Sequence, residues 1–205
     1  MGVAAIRVQP TPKGEATRER IVEAAAQEAS VRGLTAISLQ DVASLVDLSK
    51  SGLFKHFQSK EAMQLAVLEW TAARFLDRVW WPSRDGPSPR ARLTQVFEAW
   101  LDWVGGSVPR GGCLLQMASM ELDDQPGVLR DYLQAAAARW LGRVRGEFRL
   151  LSDPPLSDDD ADQAGFEMKG LVLAYIEQRR LLEDDTARAR ASAAFNRLLD
   201  RLERA

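Results

Sequence analysis

Lys50, Lys55 and Lys60 fall within eleven residues, in the segment DLSKSGLFKHFQSKEA (47–62). The chain has only five lysines, Lys13 and Lys169 being the others, and otherwise draws its positive charge from arginine. His56, the only histidine, stands in the same stretch, and no acid lies between Asp47 and Glu61. Lysines at this spacing can neutralise the phosphates of a nucleic-acid backbone. A histidine can instead ligate a metal or act as a general base. His56 has no second histidine and no cysteine near it, so the sequence offers no metal ligand set, no cofactor signature and no catalytic residue. Charge alone does not separate phosphate binding from a solvated face, and the elements carrying these residues must decide.

Those elements read as helices throughout, with no alternating strand pattern of convincing length. Pro10, Pro12 and Gly14 mark residues 1–14 as a mobile arm. A helix is expected from about Thr17 to Arg32, with Ile21, Val22, Ala25 and Ala29 on one face and Gly33 as its stop. Ser38 with Asp41 three residues on forms a capping-box start for a second, 38–46. Ser49 begins a short third helix, 49–57, carrying Leu53 and Phe57 inward, and Ser59 caps a long fourth, 60–81. Beyond SRDGPSP the expected helices are 88–104, 113–122, from Pro126 to about 150, 158–181 and 186–203. The fold class is all-α with about nine helices: a small N-terminal domain, 15–60, and a larger helical one, 61–205.

Short helices followed by a long one describe a helix-turn-helix unit, in which 38–46 lies across the DNA backbone and 49–57 enters the major groove. With Leu53 and Phe57 turned to the core, Lys50, Ser51, Gly52, Phe54, Lys55 and His56 are left for the other sides. Gly52 costs about 1 kcal/mol against Ala in a helix, an expense that suits close approach of backbone to DNA. The free amides at the start of 60–81 can bind a phosphate beside Lys60.

At these residues SKSGLFKHFQSKEAM resembles the recognition segment of the TetR family of transcriptional repressors, whose usual form reads roughly SKGxLYxHFxSKExL. IVEAAAQEASVRGLTAISLQDVASLV resembles the family's first two helices, and GGCLLQMASMELDD is similar to a stretch found in a subset of it. The specific match covers about residues 18–65; the rest resembles the family in helix number and length. The resemblance implies DNA contacts by Lys50, Ser51, Gly52 and Lys55, an aromatic and a histidine beside phosphates at Phe54 and His56, and a phosphate-binding lysine at Lys60. Gln40, in the first turn of 38–46, holds a position that sometimes reads a base, and the helix-start serines Ser38 and Ser49 complete the set. Phe54 lacks the usual tyrosine hydroxyl, Asp47 replaces a common turn glycine but tolerates a left-handed turn, and Ala29 stands where many members have Phe.

The larger domain offers two further groups. Phe97, Trp100, Trp103, Met117, Met120, Trp140 and Phe166, with Cys113 among them, are either core or the walls of a pocket for a small apolar or aromatic effector. Helices 158–181 and 186–203 carry stripes of Ala164, Met168, Leu171 and Tyr175 and of Ala191, Phe195, Leu198 and Leu202. The resemblance implies a four-helix bundle formed along them by two subunits. Helix 60–81 is the expected transmitter between effector and DNA, since it runs from Lys60 to Trp80–Trp81.

The bulk composition is consistent with this. At 205 residues, 46% hydrophobic and 27% charged with net charge −2, the chain is long enough for a real core and not coated in basic charge. No apolar run approaches the roughly 20 residues that span a bilayer, no signal-peptide core is visible, and the lone Cys113 excludes an internal disulfide; a cytoplasmic protein with no membrane partner is expected. Two other readings compete with a homodimeric regulator on double-stranded DNA: a helical carrier of apolar ligands, which has no use for the lysine–histidine segment, and a thiol enzyme built on Cys113, which lacks a free base.

Overall fold

Serine hydroxyls begin most of the helices. Ser38, Ser49, Ser59, Ser88 and Ser157 each accept the N–H of the residue three positions on, at 3.0–3.2 Å, which satisfies one of the orphan donors that every helix start leaves. In the computed structural model residues 12–106 and 109–204 are described. Among them are nine α-helices: α1 (Pro12–Arg32), α2 (Leu39–Leu45), α3 (Lys50–Phe54), α4 (Lys60–Phe75), α5 (Pro89–Gly105), α6 (Leu114–Glu121), α7 (Val128–Arg149), α8 (Asp158–Arg180) and α9 (Ala187–Leu202).

Most of the expected elements form with small shifts at their ends. Residues 1–11 of the expected arm lie outside the described residues, and Pro12 to Gly14 are not arm but the first turn of α1. Proline suits that position, since its missing N–H would be unpaired there anyway. The regular part of α3 is shorter than the expected 49–57, but the N–H of Phe57 still reaches Leu53 O at 3.1 Å, so Leu53 and Phe57 both turn inward. α4 ends at Phe75 and gives way to a wider π-helical turn over Leu76–Trp80, then a tight turn through Pro82. α7 starts two residues after Pro126.

Two apolar cores hold these helices. The N-terminal core joins Ile21, Val22, Ile37, Val42, Leu53, Phe57 and Val67, but it also takes Leu114 and Ala118 from α6, Leu122 just beyond it, and Leu129 and Leu133 from α7. The second joins α5, α7, α8 and α9 around Phe97, Phe148 and Phe195, with Phe97 stacked on Phe195 at 4.1 Å. α4 contributes to both, through Met63 and Val67 at one end and Phe75 at the other.

Candidate nucleic-acid interface and effector cavity

The turn between α2 and α3 sets the recognition segment. Asp47 takes φ +56°, and the N–H of Leu48 reaches back to Ala43 O at 2.9 Å, the bond pattern that closes a helix end over a left-handed residue. At the other end of α2, Ser38 and Asp41 form the full capping box, the carboxylate accepting both the Ser38 N–H at 2.9 Å and its hydroxyl at 2.8 Å. These bonds, side chain first, hold the Asp41 carboxyl below the usual carboxylate range, aided by the charges of Arg32 and Lys60. The hydroxyl of Ser38 is therefore committed within the protein.

From this base α3 leaves Lys50, Ser51, Phe54 and Lys55 exposed, with Gly52 and His56 half-buried and Gln40 exposed on α2. Lys50 Nζ lies 6.0 Å from the centre of the Phe54 ring. Ser49 serves as the cap of α3, accepting from Gly52 N at 3.0 Å. A Cβ on Gly52 would sit 3.2 Å from that same hydroxyl oxygen. Packing against the cap thus constrains Gly52 before any DNA is considered, a reason the sequence reading lacked.

Behind the recognition segment, the α1–α2 turn is tied down through the polar groups of Leu34 and Thr35. Glu121, at the end of α6, accepts Leu34 N through Oε2 and Thr35 N through Oε1, both at 2.8 Å, and the Thr35 hydroxyl donates to Oε1 as well. The two carbonyls are taken from the opposite side: Gln64 Nε2 donates to Leu34 O at 2.7 Å and Lys60 Nζ to Thr35 O at 2.6 Å. Gly33, at φ +95°, lies against the Glu121 carboxylate. The 109–112 loop adds Gly111 N to Ser30 Oγ at 3.0 Å and Arg110 N to Gln27 Oε1 at 3.2 Å. Sequence reasoning missed Glu121 entirely. The only local signal was an acid ending an apolar helix, which does not reveal a partner 87 residues away.

Above this clamp lies a cavity of about 130 Å³ between α4, α5, α6, α7 and α8. Phe75, Trp100 and Trp140 form its aromatic wall, with ring centres 4.8–5.8 Å apart and edge-to-face. Cys113 borders it with its thiol pushed up by burial, which leaves it a weak nucleophile. Of the eight expected effector residues, Trp100, Trp140 and Cys113 meet here and five do not. Phe97 is stacked in the second core, and Trp103 borders a separate cleft with Glu23, Asp102, Arg74 and Arg78. Met117 is half-buried and is not part of the wall. Met120 and Phe166, 62% and 72% exposed, face outward. A helix carries apolar residues on more faces than one, and spacing alone did not tell which face meets the cavity.

The expected dimer seam is corrected for the same reason. Ala164, Met168, Tyr175, Ala191, Phe195, Leu198 and Leu202 are all buried within the subunit, and Leu171 alone stays half-buried. α5 and α7 need apolar partners, and the amphipathic faces of α8 and α9 fill that need. The outward side of the pair presents Phe166, Gly170, Ala174 and Leu181, with Ala189 and Ala193.

Comparison with known proteins agrees with this architecture. Residues 21–67 match the family described as bacterial regulatory proteins, tetR family, and residues 89–195 match the tetracyclin repressor-like C-terminal domain. The chain belongs to the TetR family of DNA-binding transcriptional regulators, a family of regulators and not of enzymes. One curated relative, the HTH-type transcriptional repressor DhaR of Mycobacterium sp. (strain GP1), is 27% identical over 125 residues, spanning 60% of this chain and 61% of its own. Among solved structures, a TetR transcriptional regulator from Chloroflexus aurantiacus J-10-FL superposes with TM-score 0.79 at 23% identity, covering 93% of this chain and 96% of that one. AibR in complex with isovaleryl coenzyme A and operator DNA superposes with TM-score 0.73 at 21% identity, covering 89% and 98%. Among the described residues no helix is long and apolar enough to cross a membrane.

Proposed function

We propose that the chain is a cytoplasmic homodimeric repressor that binds an inverted repeat in double-stranded DNA and releases it when a small apolar or aromatic molecule enters the cavity. One observation carries this reading. α4 begins at Lys60, just after the Lys50–His56 segment, and its last residue, Phe75, joins the cavity wall together with Leu76 directly beyond it. A single rigid element joins the two surfaces. In this reading residues 15–60 read DNA and residues 61–205 bind the effector and the second subunit. The contacts to DNA come from Gln40, Lys50, Ser51, Gly52, Phe54, Lys55, His56 and Lys60, whose ammonium has donors left after bonding Thr35. The relative named as a repressor, and a structural neighbour held with an acyl coenzyme A and operator DNA, support the same assignment.

A two-fold pair of subunits presents two recognition helices, hence two half-sites. The outward stripe through Phe166 and Ala174 is the surface a second copy would cover. For an effector to turn 99:1 occupancy into 1:99 it must prefer the released conformer by about 10⁴-fold, about 5.5 kcal/mol. The test is a gel shift with the DNA flanking the chain's own gene, followed by footprinting. Two symmetric protected half-sites are expected. Equal retardation of a scrambled fragment would overturn the assignment of a specific operator and leave a ligand carrier as the better reading.

A further inference from the structure

The cavity is apolar on its inner wall, but its charged groups are of one sign. Arg139, Arg143 and Lys169 border it, and among the described residues no aspartate or glutamate does. Arg139 and Arg143 are one turn apart on α7, which places them on the same helix face. Lys169 comes from α8, where Val172, Leu173 and Ile176 share its side at spacings of three, four and seven. It is the only lysine after Lys60.

None of the three has a hydrogen bond or ion pair with another of the described residues. Other arginines of the larger domain do: Arg92 pairs with Glu147 at 2.8 Å, Arg188 with Glu98 at 2.7 Å and Arg201 with Glu167 at 2.7 Å. Arg143 is instead spread over the rings of Trp80 and Trp81, 5.8 and 5.6 Å from their centres, a packing that leaves the in-plane donors of a guanidinium unused. Trp140, in the same wall, has its indole N–H buried without an acceptor. An unpaired buried donor is costly and calls for a partner. Arg139 is exposed while Arg143 and Lys169 are half-buried, so the cations form a rim around an aromatic floor.

Resting on the reading of this cavity as the effector site, we propose that its ligand is an organic carboxylate with an apolar body about the size of one aromatic ring. The body fills the space beside Phe75, Trp100 and Trp140, since about 130 Å³ compares with cavities that accept benzene. The carboxylate meets Arg139, Arg143 and Lys169 at the rim. An aromatic box can also attract a quaternary ammonium, but three unpaired cations oppose one here.

The test uses tryptophan fluorescence of the full chain without DNA, titrated with phenylacetate, phenylacetamide and choline. Phenylacetate is expected to bind roughly tenfold or more tightly than the amide, as charge-assisted bonds exceed neutral ones. Lys169→Met should reduce that preference several-fold, Arg139 and Arg143 remaining, while Lys169→Arg retains it, with far-UV circular dichroism confirming that both variants fold. Equal affinity for acid and amide, stronger binding of choline, an unchanged preference in folded Lys169→Met, or no saturable response to phenylacetate would each overturn the inference. Operator release is read separately. A chain that binds phenylacetate but keeps hold of its DNA fails the proposed function and not this assignment.

Discussion

Replacing Glu121 should loosen the DNA-binding unit from a distance. In Glu121→Ala the N–H groups of Leu34 and Thr35 lose their acceptor. Leu34 is fully buried, so its N–H cannot fully recover water, and an orphaned buried donor costs about 1–3 kcal/mol. Thr35 is exposed, and replacing its bond to a carboxylate by one to water costs on the order of 0.5 kcal/mol. Together these give about 1.5–3.5 kcal/mol. That is a large part of the 5–15 kcal/mol typical of a whole domain. Glu121→Gln keeps one acceptor oxygen but turns an amide N–H toward a backbone N–H, and should fall between.

Two assays follow. Urea unfolding by circular dichroism should show a lower midpoint for both variants at unchanged slope. Hydrogen exchange should localise the effect: about 2 kcal/mol is roughly 30-fold faster exchange at the Leu34 and Thr35 amides. The same contact bears on switching. α6 lines the cavity with Leu115, Gln116 and Ser119 and ends at Glu121 on the α1–α2 turn, a second route beside α4. Glu121→Gln should therefore bind ligand with wild-type affinity yet release operator less completely. A variant as stable as wild type would show that the clamp contributes nothing. A destabilised variant with unchanged release would show that transmission runs through α4 alone.

Asp47→Gly should stabilise the fold by about 0.5–1 kcal/mol, because only the backbone preference at φ +56° changes; a lower thermal midpoint for the variant would contradict this. Lys60→Ala should reduce the slope of log affinity for DNA against log salt by about one unit, and an equal slope would confine Lys60 to its bond with Thr35 O. Phe166→Asp should yield folded monomers by sedimentation with lost operator binding, whereas a stable dimer would move the interface off this stripe. The folded-state carboxyl of Asp41 is depressed, so its contribution is present above about pH 4 and fades as pH falls through the lower folded value. Asp41→Asn should remove that part of the acid sensitivity, and identical acid titrations would assign it elsewhere.

What the sequence disclosed depended on how local the cause was. Ser38 with Asp41, Ser49, Ser59 and Asp47 act within four residues of themselves, so their spacing carried the helix starts, the turn and the inward facing of Leu53 and Phe57. The aromatic residues show the limit of that logic. Phe97 and Trp100 are three apart on α5, yet one stacks on Phe195 and the other walls the cavity. Helical spacing makes them neighbours, and only the positions of α7 and α9 separate their roles. The stripes of α8 and α9 misled in the same way. An amphipathic face must be buried, but the pattern is silent on whether its own subunit or a second copy does so, and here α5 and α7 take it. Glu121 and the trio Arg139, Arg143 and Lys169 were invisible for a further reason. Their significance lies in what they face, a buried N–H 87 residues away in one case and the lack of any carboxylate among the described residues around the cavity in the other. The segment proposed to read DNA was legible because its chemistry and its scaffold share the sixteen residues 47–62. The cavity proposed to take the effector was not, because its lining exists only once five helices have met.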